Sequence, residues 1–526
     1  MKSLLTDKAA ALKPMAGVLF LGFGLRLYQA IARGIINPDG VHYIYQAHAI
    51  AAHDWSGLFG CDLPYVSIFP LLIAVAHSLL NDWIVAGLFV NVLFGSAVLI
   101  PLYAVLRRFL DSPRSVLTVL IFAMIPSFVS GTADLLRDPT FWFFLSMGML
   151  MYVRQWDPGA APQRYRYDLM LSGLFFLLAV WARIEGLAAL AGSVIFLLIY
   201  KQDRKLERLL IFTAPFLVII AIVGIIALMS HASIGRAIRA DTVYDMFTQL
   251  GGDYNSLRAN IGGLARQSAG HIGEFFRQIK GILWFVPLGL IFNNLLEGLF
   301  YLYALVYLAG FFGIHRRVRQ DARIGYFLWL TLFGFVTLYV HLLQTWFIFH
   351  RFLAIVVFPG CLLFGFGVDN AMGYLQRKWQ LRQTTVVVLL AAGLCLFALP
   401  KNLIPKERDK IVYRQIARTI AENKSPQQVA RIAAVPSRGY EWVFFYAHRN
   451  YPTPLCSAAL RGEIPHDYKD FMTYLKDAGI RYVLYESRTW PKDAFDLPAS
   501  YDRQDLFLDG RWSTAGGDTL MLFERR

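Results

Sequence analysis

Long apolar stretches, interrupted at short intervals by small polar clusters, fill the chain between residues 15 and 400. A helix rises about 1.5 Å per residue, so roughly 20 apolar residues are needed to cross the hydrocarbon. On that measure residues 15–33, 84–106, 115–132, 139–153, 169–183, 187–200, 207–229, 283–312, 325–343, 352–372 and 383–400 read as spans, about eleven in all. The run Phe69–Leu80 is too short to span and return, and reads as a helix lying in the interface plane. Lys2, Lys8 and Lys13 precede the first apolar run with no convincing small-residue cleavage site after it, which reads as an uncleaved first helix starting in the cytoplasm.

Past Pro400 the period changes. Ile411–Ala421 reads as a helix, Val429–Val435 as a strand and Asp470–Ala478 as a helix. Arg481–Tyr485, entered through Gly479, and Thr519–Phe523 read as strands. The predicted fold is an all-α polytopic membrane domain over residues 1–400, with outer loops at 34–82 and 230–280. It is followed by a small extracytoplasmic α/β domain at 401–526.

Composition fixes the solvent. Apolar residues make up 56% of the chain and charged residues only 17%, against about 25% in a soluble protein. The net charge of +15 would suit a nucleic-acid partner if it were gathered on one soluble module. Instead it sits in short connectors: Arg107 and Arg108, Arg164 and Arg166, Lys201 to Arg208, Arg316 to Arg323, and Arg377 to Arg382. Basic residues take those places on the cytoplasmic side of a membrane protein. Eleven crossings from a cytoplasmic N-terminus put all of these connectors inside. They put the loop after Gly34, the turn near Gly131–Asp138, Ser230–Lys280 and everything after Pro400 outside. Membrane lipids are therefore partners and nucleic acid is not. Of the four cysteines, Cys361 and Cys395 lie in apolar runs, whereas Cys61 and Cys456 would share the outer side, where a disulfide can form.

Charged residues at the outer ends of spans are the candidates for chemistry. Asp39 follows the first span in Asn37-Pro38-Asp39-Gly40, which reads as a turn, with Pro38 fixing a backbone angle and Gly40 permitting a tight reversal. Its carboxylate is placed to take a proton from an acceptor, or else simply to cap a helix over Val41–Ala52. Asp134, Arg137 and Asp138 punctuate the next outer turn, where Asp138 before Pro139 also reads as a helix start. Arg183 and Glu185 interrupt an apolar stretch, either as a local ion pair or as part of a cavity wall. Arg351 suits paired hydrogen bonds to a phosphate or, more simply, snorkelling to headgroups. His42, Tyr43 and His350 complete the set as acceptor or cavity contacts.

The sequence has no phosphate-binding glycine loop, no His-Glu-x-x-His pattern and no close Asp-x-Asp pair. Three stretches resemble the polytopic GT-C glycosyltransferases, in particular bacterial protein O-mannosyltransferases and lipid A aminoarabinose transferases. They are Asp39-Gly40-Val41-His42-Tyr43-Ile44-Tyr45-Gln46-Ala47, Leu136-Arg137-Asp138-Pro139-Thr140-Phe141-Trp142, and His350-Arg351-Phe352-Leu353 with Pro359 downstream. The first is similar to the family's leading acidic motif, although many members follow the aspartate with glutamate where this chain has Gly40. The resemblance implies catalytic roles for Asp39 and Asp138, and donor-phosphate contacts from Arg351, Arg137 and Arg183. It further implies acceptor or cavity roles for Glu185, Asp134, His42, Tyr43 and His350.

The implied substrates are a polyprenyl-phosphate sugar and a lipid, glycan or protein acceptor at the outer face of a bacterial inner membrane. The resemblance gives no metal ligands and leaves a divalent ion open. A membrane transporter, or a flippase for lipid-linked glycans, is the alternative from another class. A transporter would carry its polar residues near the midplane and in an internal repeat.

Overall fold

The computed structural model describes residues 2–55, 57–59, 65–157, 163–200, 203–230, 252–425, 428–434, 438–451, 453, 455, 465–514 and 516–526. Cys61, Cys456 and the 231–251 part of the second outer loop lie outside the described residues. The chain divides into two units. The first comprises residues 1–28, 91–132 and 137–404. The second comprises 29–90, 133–136 and 405–526.

The chain is a multi-pass membrane protein. Among the described residues, six helical stretches are long and apolar enough to cross: Lys13–Ala32, Trp83–Leu106, Arg164–Ala182, Gly270–Gly298, Ala322–Thr345 and the one beginning at Gln383. Two further pairs qualify when each is taken as one bent span. In chain order the first elements are α1 (Lys2–Ala32), α2 (Pro38–Ala51), α3 (Ile68–Leu80), α4 (Trp83–Ala97), α5 (Leu99–Leu106), α6 (Ser112–Met124) and α7 (Pro126–Thr132). They continue with α8 (Asp138–Arg154), α9 (Arg164–Ala182), α10 (Gly186–Ile199) and α11 (Lys205–Ser230). Two of the predicted spans, 139–153 and 187–200, are thus helices of 17 and 14 residues. Residues 283–312 are not one helix. The apolar helical stretch already begins at Gly270, ends at Gly298 and restarts at Leu302, because Phe300 between them takes a positive φ of 62°. Ser127 Oγ donates to the Gly298 carbonyl at 2.7 Å and so satisfies an acceptor that the helix end leaves open.

Residues 115–132 are also broken. α6 and α7 meet at 57°, since Pro126 has no N–H for the carbonyl four residues earlier. The freed acceptors find side chains instead. Arg26, fully buried on α1, donates to the carbonyls of Ala123 at 3.0 Å and Phe122 at 3.4 Å. Asn402 donates to that of Met124 at 2.8 Å. In a medium without water these bonds replace the missing helical ones.

One end of the first unit collects its basic connectors. Asp157 joins Arg108 to Arg323, Asp369 joins Arg114 to Arg317, and Asp168 accepts Arg154 and Arg164. Arg208 reaches Gln155 at 2.8 Å. The opposite end of α8, 17 residues and hence about 25 Å away, carries Asp138.

The second unit holds a four-stranded sheet in the order β1-β2-β4-β3, from β1 (Ile432–Ala434), β2 (Tyr482–Glu486), β3 (Leu506–Ser513) and β4 (Thr519–Arg525). β1 runs parallel to β2 and the remaining pairs are antiparallel. Strand side chains alternate between faces. Tyr482, Leu484, Leu520 and Leu522 therefore meet the Ile411–Glu422 and Arg438–Ala447 helices, while Val483, Met521 and Phe523 meet the Tyr468–Asp477 helix. The strand at 506–513 and the helix at 438–447 escape the sequence reading. The former has Asp509, Gly510 and Arg511 in its middle and a bulge between Leu508 and Gly510, which hide the alternation. Ile35 enters the first of these cores, and Trp442 Nε1 donates to the Ile36 carbonyl at 2.8 Å. The segment just before Asp39 is thereby sewn to the C-terminal module.

Replacing Arg26 with Met should strand the carbonyls at the α6–α7 break and lower stability by about 2 kcal/mol. Thermal unfolding in nanodiscs measures this, and an unchanged midpoint would remove Arg26 from that role.

Candidate functional site

Within the first unit, two of the sequence candidates converge on the guanidinium of a third. Arg183, buried just past the end of α9, pairs with Asp138 at the start of α8 and with Glu185 two residues on. A second Arg183–Glu185 bond, from Nε, measures 3.2 Å. The local ion pair read from the sequence is therefore one half of a triad whose other half comes from 45 residues earlier. Burial alone pushes the Glu185 carboxyl upward, but the charge and hydrogen bonds of Arg183, helped by the charge of Arg137, outweigh it and hold the group at about 2. Asp138 is also helical from its own position, with Arg137 at the helix N-cap and Pro139 in the first turn.

Arg183 lies 4.7 Å over the ring of Phe352. Arg351 stands 5.6 Å from the centre of the same ring and 4.9 Å from that of Phe349. The late Arg-aromatic motif and the Arg183 triad thus meet through one phenyl ring. His350 Nε2 is 3.7 Å from Glu297, which Asn293 also contacts at 2.9 Å. Glu297 and Phe352 were missed as site residues. For Glu297 the signal existed: it is the sole charged residue in the apolar stretch 283–312, and such residues tend to be functional.

The second unit holds Asp39 and Asp134. Asn37-Pro38-Asp39-Gly40 is not a tight reversal. It opens α2, with Pro38 at the first helical position and Asn37 Oδ1 accepting from the Asp39 N–H at 3.0 Å. Asn37 is therefore the cap, and the Asp39 carboxylate sits in the first turn, where the helix end favours negative charge. Gly40 has a packing role: a Cβ there would stand 3.0 Å from the Leu135 carbonyl oxygen. Leu135 is fully buried with a positive φ of 54°. Asp134 pairs with Arg33, and its carbonyl accepts from the Asn37 N–H at 3.2 Å, so it fixes the turn ahead of Asp39. Tyr43 is buried edge-on to Phe69, with ring centres 5.4 Å apart. His42 lines a cavity of about 360 Å³ with Tyr45, His48 and Trp83.

Known proteins share this architecture. ArnT from Cupriavidus metallidurans, solved in the apo state, superposes with a TM-score of 0.59 at 13% identity over 98% of each chain. The same protein bound to undecaprenyl phosphate gives 0.58 at 11% identity, again over 98% of each chain. The chain has the GT-C fold. Oligosaccharyltransferase AglB from Archaeoglobus fulgidus, in complex with an inhibitory peptide and a dolichol-phosphate, shares it with a TM-score of 0.54 at 13% identity over 98% of this chain and 74% of AglB. The family model for dolichyl-phosphate-mannose-protein mannosyltransferases matches residues 66–228, which contain the triad. No curated protein is similar in sequence. A further structure of the A. fulgidus enzyme is a complex with Zn and sulfate. In this chain no group of three metal-ligating side chains occurs among the described residues, and Asp138 and Glu185 converge on a guanidinium.

Two outcomes follow for the triad. Arg183→Met leaves the buried Asp138 carboxylate, with the half-buried Glu185 beside it, without a cation and should cost about 3 kcal/mol of stability. Glu185 titrates near 4.5 when unfolded and at about 2 when folded. Between those values only the unfolded chain takes up the proton, so this contribution is complete above about 4.5 and is lost as pH falls toward 2. Unfolding followed from pH 6 to pH 2.5 should show that acid limb, and Glu185→Gln should flatten it.

Proposed function

We propose that the chain is a glycosyltransferase. It moves a sugar from a polyprenyl-phosphate donor to a lipid, glycan or protein acceptor at the outer face of a bacterial cytoplasmic membrane. The observation that carries this reading is the gathering of Arg137, Arg183 and Arg351 around Asp138, Glu185 and Phe352 at one end of a GT-C fold. A phosphate leaving group develops negative charge as its bond to the sugar breaks, and guanidiniums held in place before reaction stabilise that charge. Full-length likeness to a protein solved with undecaprenyl phosphate supports the same donor class.

Asp39 takes the proton of the acceptor nucleophile as its lone pair attacks the anomeric carbon. The bond from that carbon to the phosphate oxygen breaks, and the electron pair leaves with the polyprenyl phosphate. Direct attack inverts the sugar carbon. Arg351, with Arg137, binds the phosphate oxygens. Arg183 already balances two carboxylates, so Asp138 and Glu185 act by positioning it. Residues 1–400 form the membrane catalytic domain, with the N-terminus cytoplasmic, and residues 401–526 form an extracytoplasmic domain.

Asp39→Asn should abolish transfer from a radiolabelled polyprenyl-phosphate sugar while donor binding persists. Full activity in that variant would end its role as base. Arg351→Ala should weaken donor binding about tenfold, by the loss of a charge-assisted contact. Unchanged affinity would reject the phosphate assignment. Alkaline phosphatase fused after Arg526 should be active in a bacterial host, and an inactive fusion would invert the orientation.

A further inference from the structure

Among the described residues of the second unit, two neighbouring cavities take no part in the reaction above. The larger, about 360 Å³, falls within the range of roughly 300–1,000 Å³ typical of small-molecule sites. Its wall includes His42 and Tyr45 of α2, Trp83 at the start of α4, and Arg449 and Tyr451. The smaller, about 190 Å³, is lined by Arg33, Arg414, Tyr446 and Arg449 among apolar residues. Arg449 and Ile84 line both, so the two cavities share a wall.

The lining identifies the class of ligand. Hydroxyl, imidazole and amide groups are interleaved with aromatic rings, and Trp83 is held flat against His77 at 3.5 Å between ring centres. Such a wall suits a ring bearing hydroxyl groups. Among the described residues no strand contributes to either lining, so these offer no sheet edge to the backbone of an extended peptide.

Charge narrows the class further. Arg33 is matched by Asp134 and, at 4.0 Å, by Glu407, and Arg449 is matched by Asp82. Arg414 forms no ion pair among the described residues, is exposed and lies 5.7 Å over the ring of Tyr446. His448 adds no charge to the wall. Its Nε2 accepts from the Ala430 N–H at 2.8 Å and its Nδ1 faces the Phe444 carbonyl at 2.7 Å, which fixes the neutral ring. Three guanidiniums therefore face the smaller cavity, and the carboxylates around them belong to Arg33 and Arg449, which leaves Arg414 as the guanidinium with charge to offer a ligand.

We propose that this double cavity binds an acidic saccharide unit of the acceptor, with the sugar ring between Tyr45 and Tyr451 and its carboxylate or phosphate against Arg449 and Arg414. The assignment to the acceptor rests on the glycosyltransferase reading; the binding itself does not.

The test uses the full chain in nanodiscs and saturation-transfer NMR. The probes are a uronate-containing disaccharide, the same disaccharide with a phosphate monoester in place of the carboxylate, its neutral counterpart and a short acidic peptide. At least one acidic form should bind about tenfold more tightly than the neutral one, and the two acidic arms tell carboxylate from phosphate. Arg414→Gln should reduce acidic binding to the neutral level, and Tyr45→Ala should weaken both forms. Asp39→Asn should bind as the unaltered chain does, which separates recognition from catalysis. Equal affinity for acidic and neutral forms, indifference to both cavity variants, or tighter binding of the peptide would overturn the proposal. Binding as expected by a chain that transfers no sugar would uphold the cavity and sink the glycosyltransferase reading instead.

Discussion

A guanidinium removed from water needs opposite charge and hydrogen-bond acceptors around it, or its desolvation dominates. Arg183 meets that condition with carboxylates from two directions and a phenyl ring on its face. The arrangement fixes the start of α8, the end of α9 and the entry to α10 with respect to one another, since each contributes one member. It also fixes what Asp138 can do. A carboxylate committed to a buried ion pair is poorly placed to move protons and well placed to hold a cation still.

The membrane character and the C-terminal module were legible because both rest on periodicity. Apolar runs mark helices facing lipid or protein, and alternation marks β2 and β4, whose paired residues split cleanly between two cores. The helix breaks were less legible. Pro126 and Gly298 lie inside runs apolar enough on average to read as single spans, which outweighs the local signals at the breaks, Pro126 itself and the polar Asn293, Asn294 and Glu297. The candidate site was legible residue by residue. Asp138, Arg183 and Glu185 each stood out as charges among apolar neighbours, but their convergence joins positions 45 residues apart, and no local pattern encodes that.

Gly40 illustrates the same limit at closer range. In the sequence it read as the hinge of a turn, whereas the structure uses its missing side chain. Leu135 needs the space in front of both Gly40 and Gly87, where an added Cβ would come within 3.0 Å of the Leu135 carbonyl oxygen or 2.9 Å of its side chain. An acid in place of Gly40 would press on that buried leucine, so packing favours the glycine after Asp39.

The bend at Pro126 has a mechanical consequence. A proline kink whose orphaned acceptors are left to solvent can flex, because water follows them as they move. At this one the acceptors are gripped by Arg26 and Asn402, from helices far away in the chain. Straightening it would cost all of those bonds at once. The joint is a bracket and not a pivot, and any bending of these helices must be borne at other points along them.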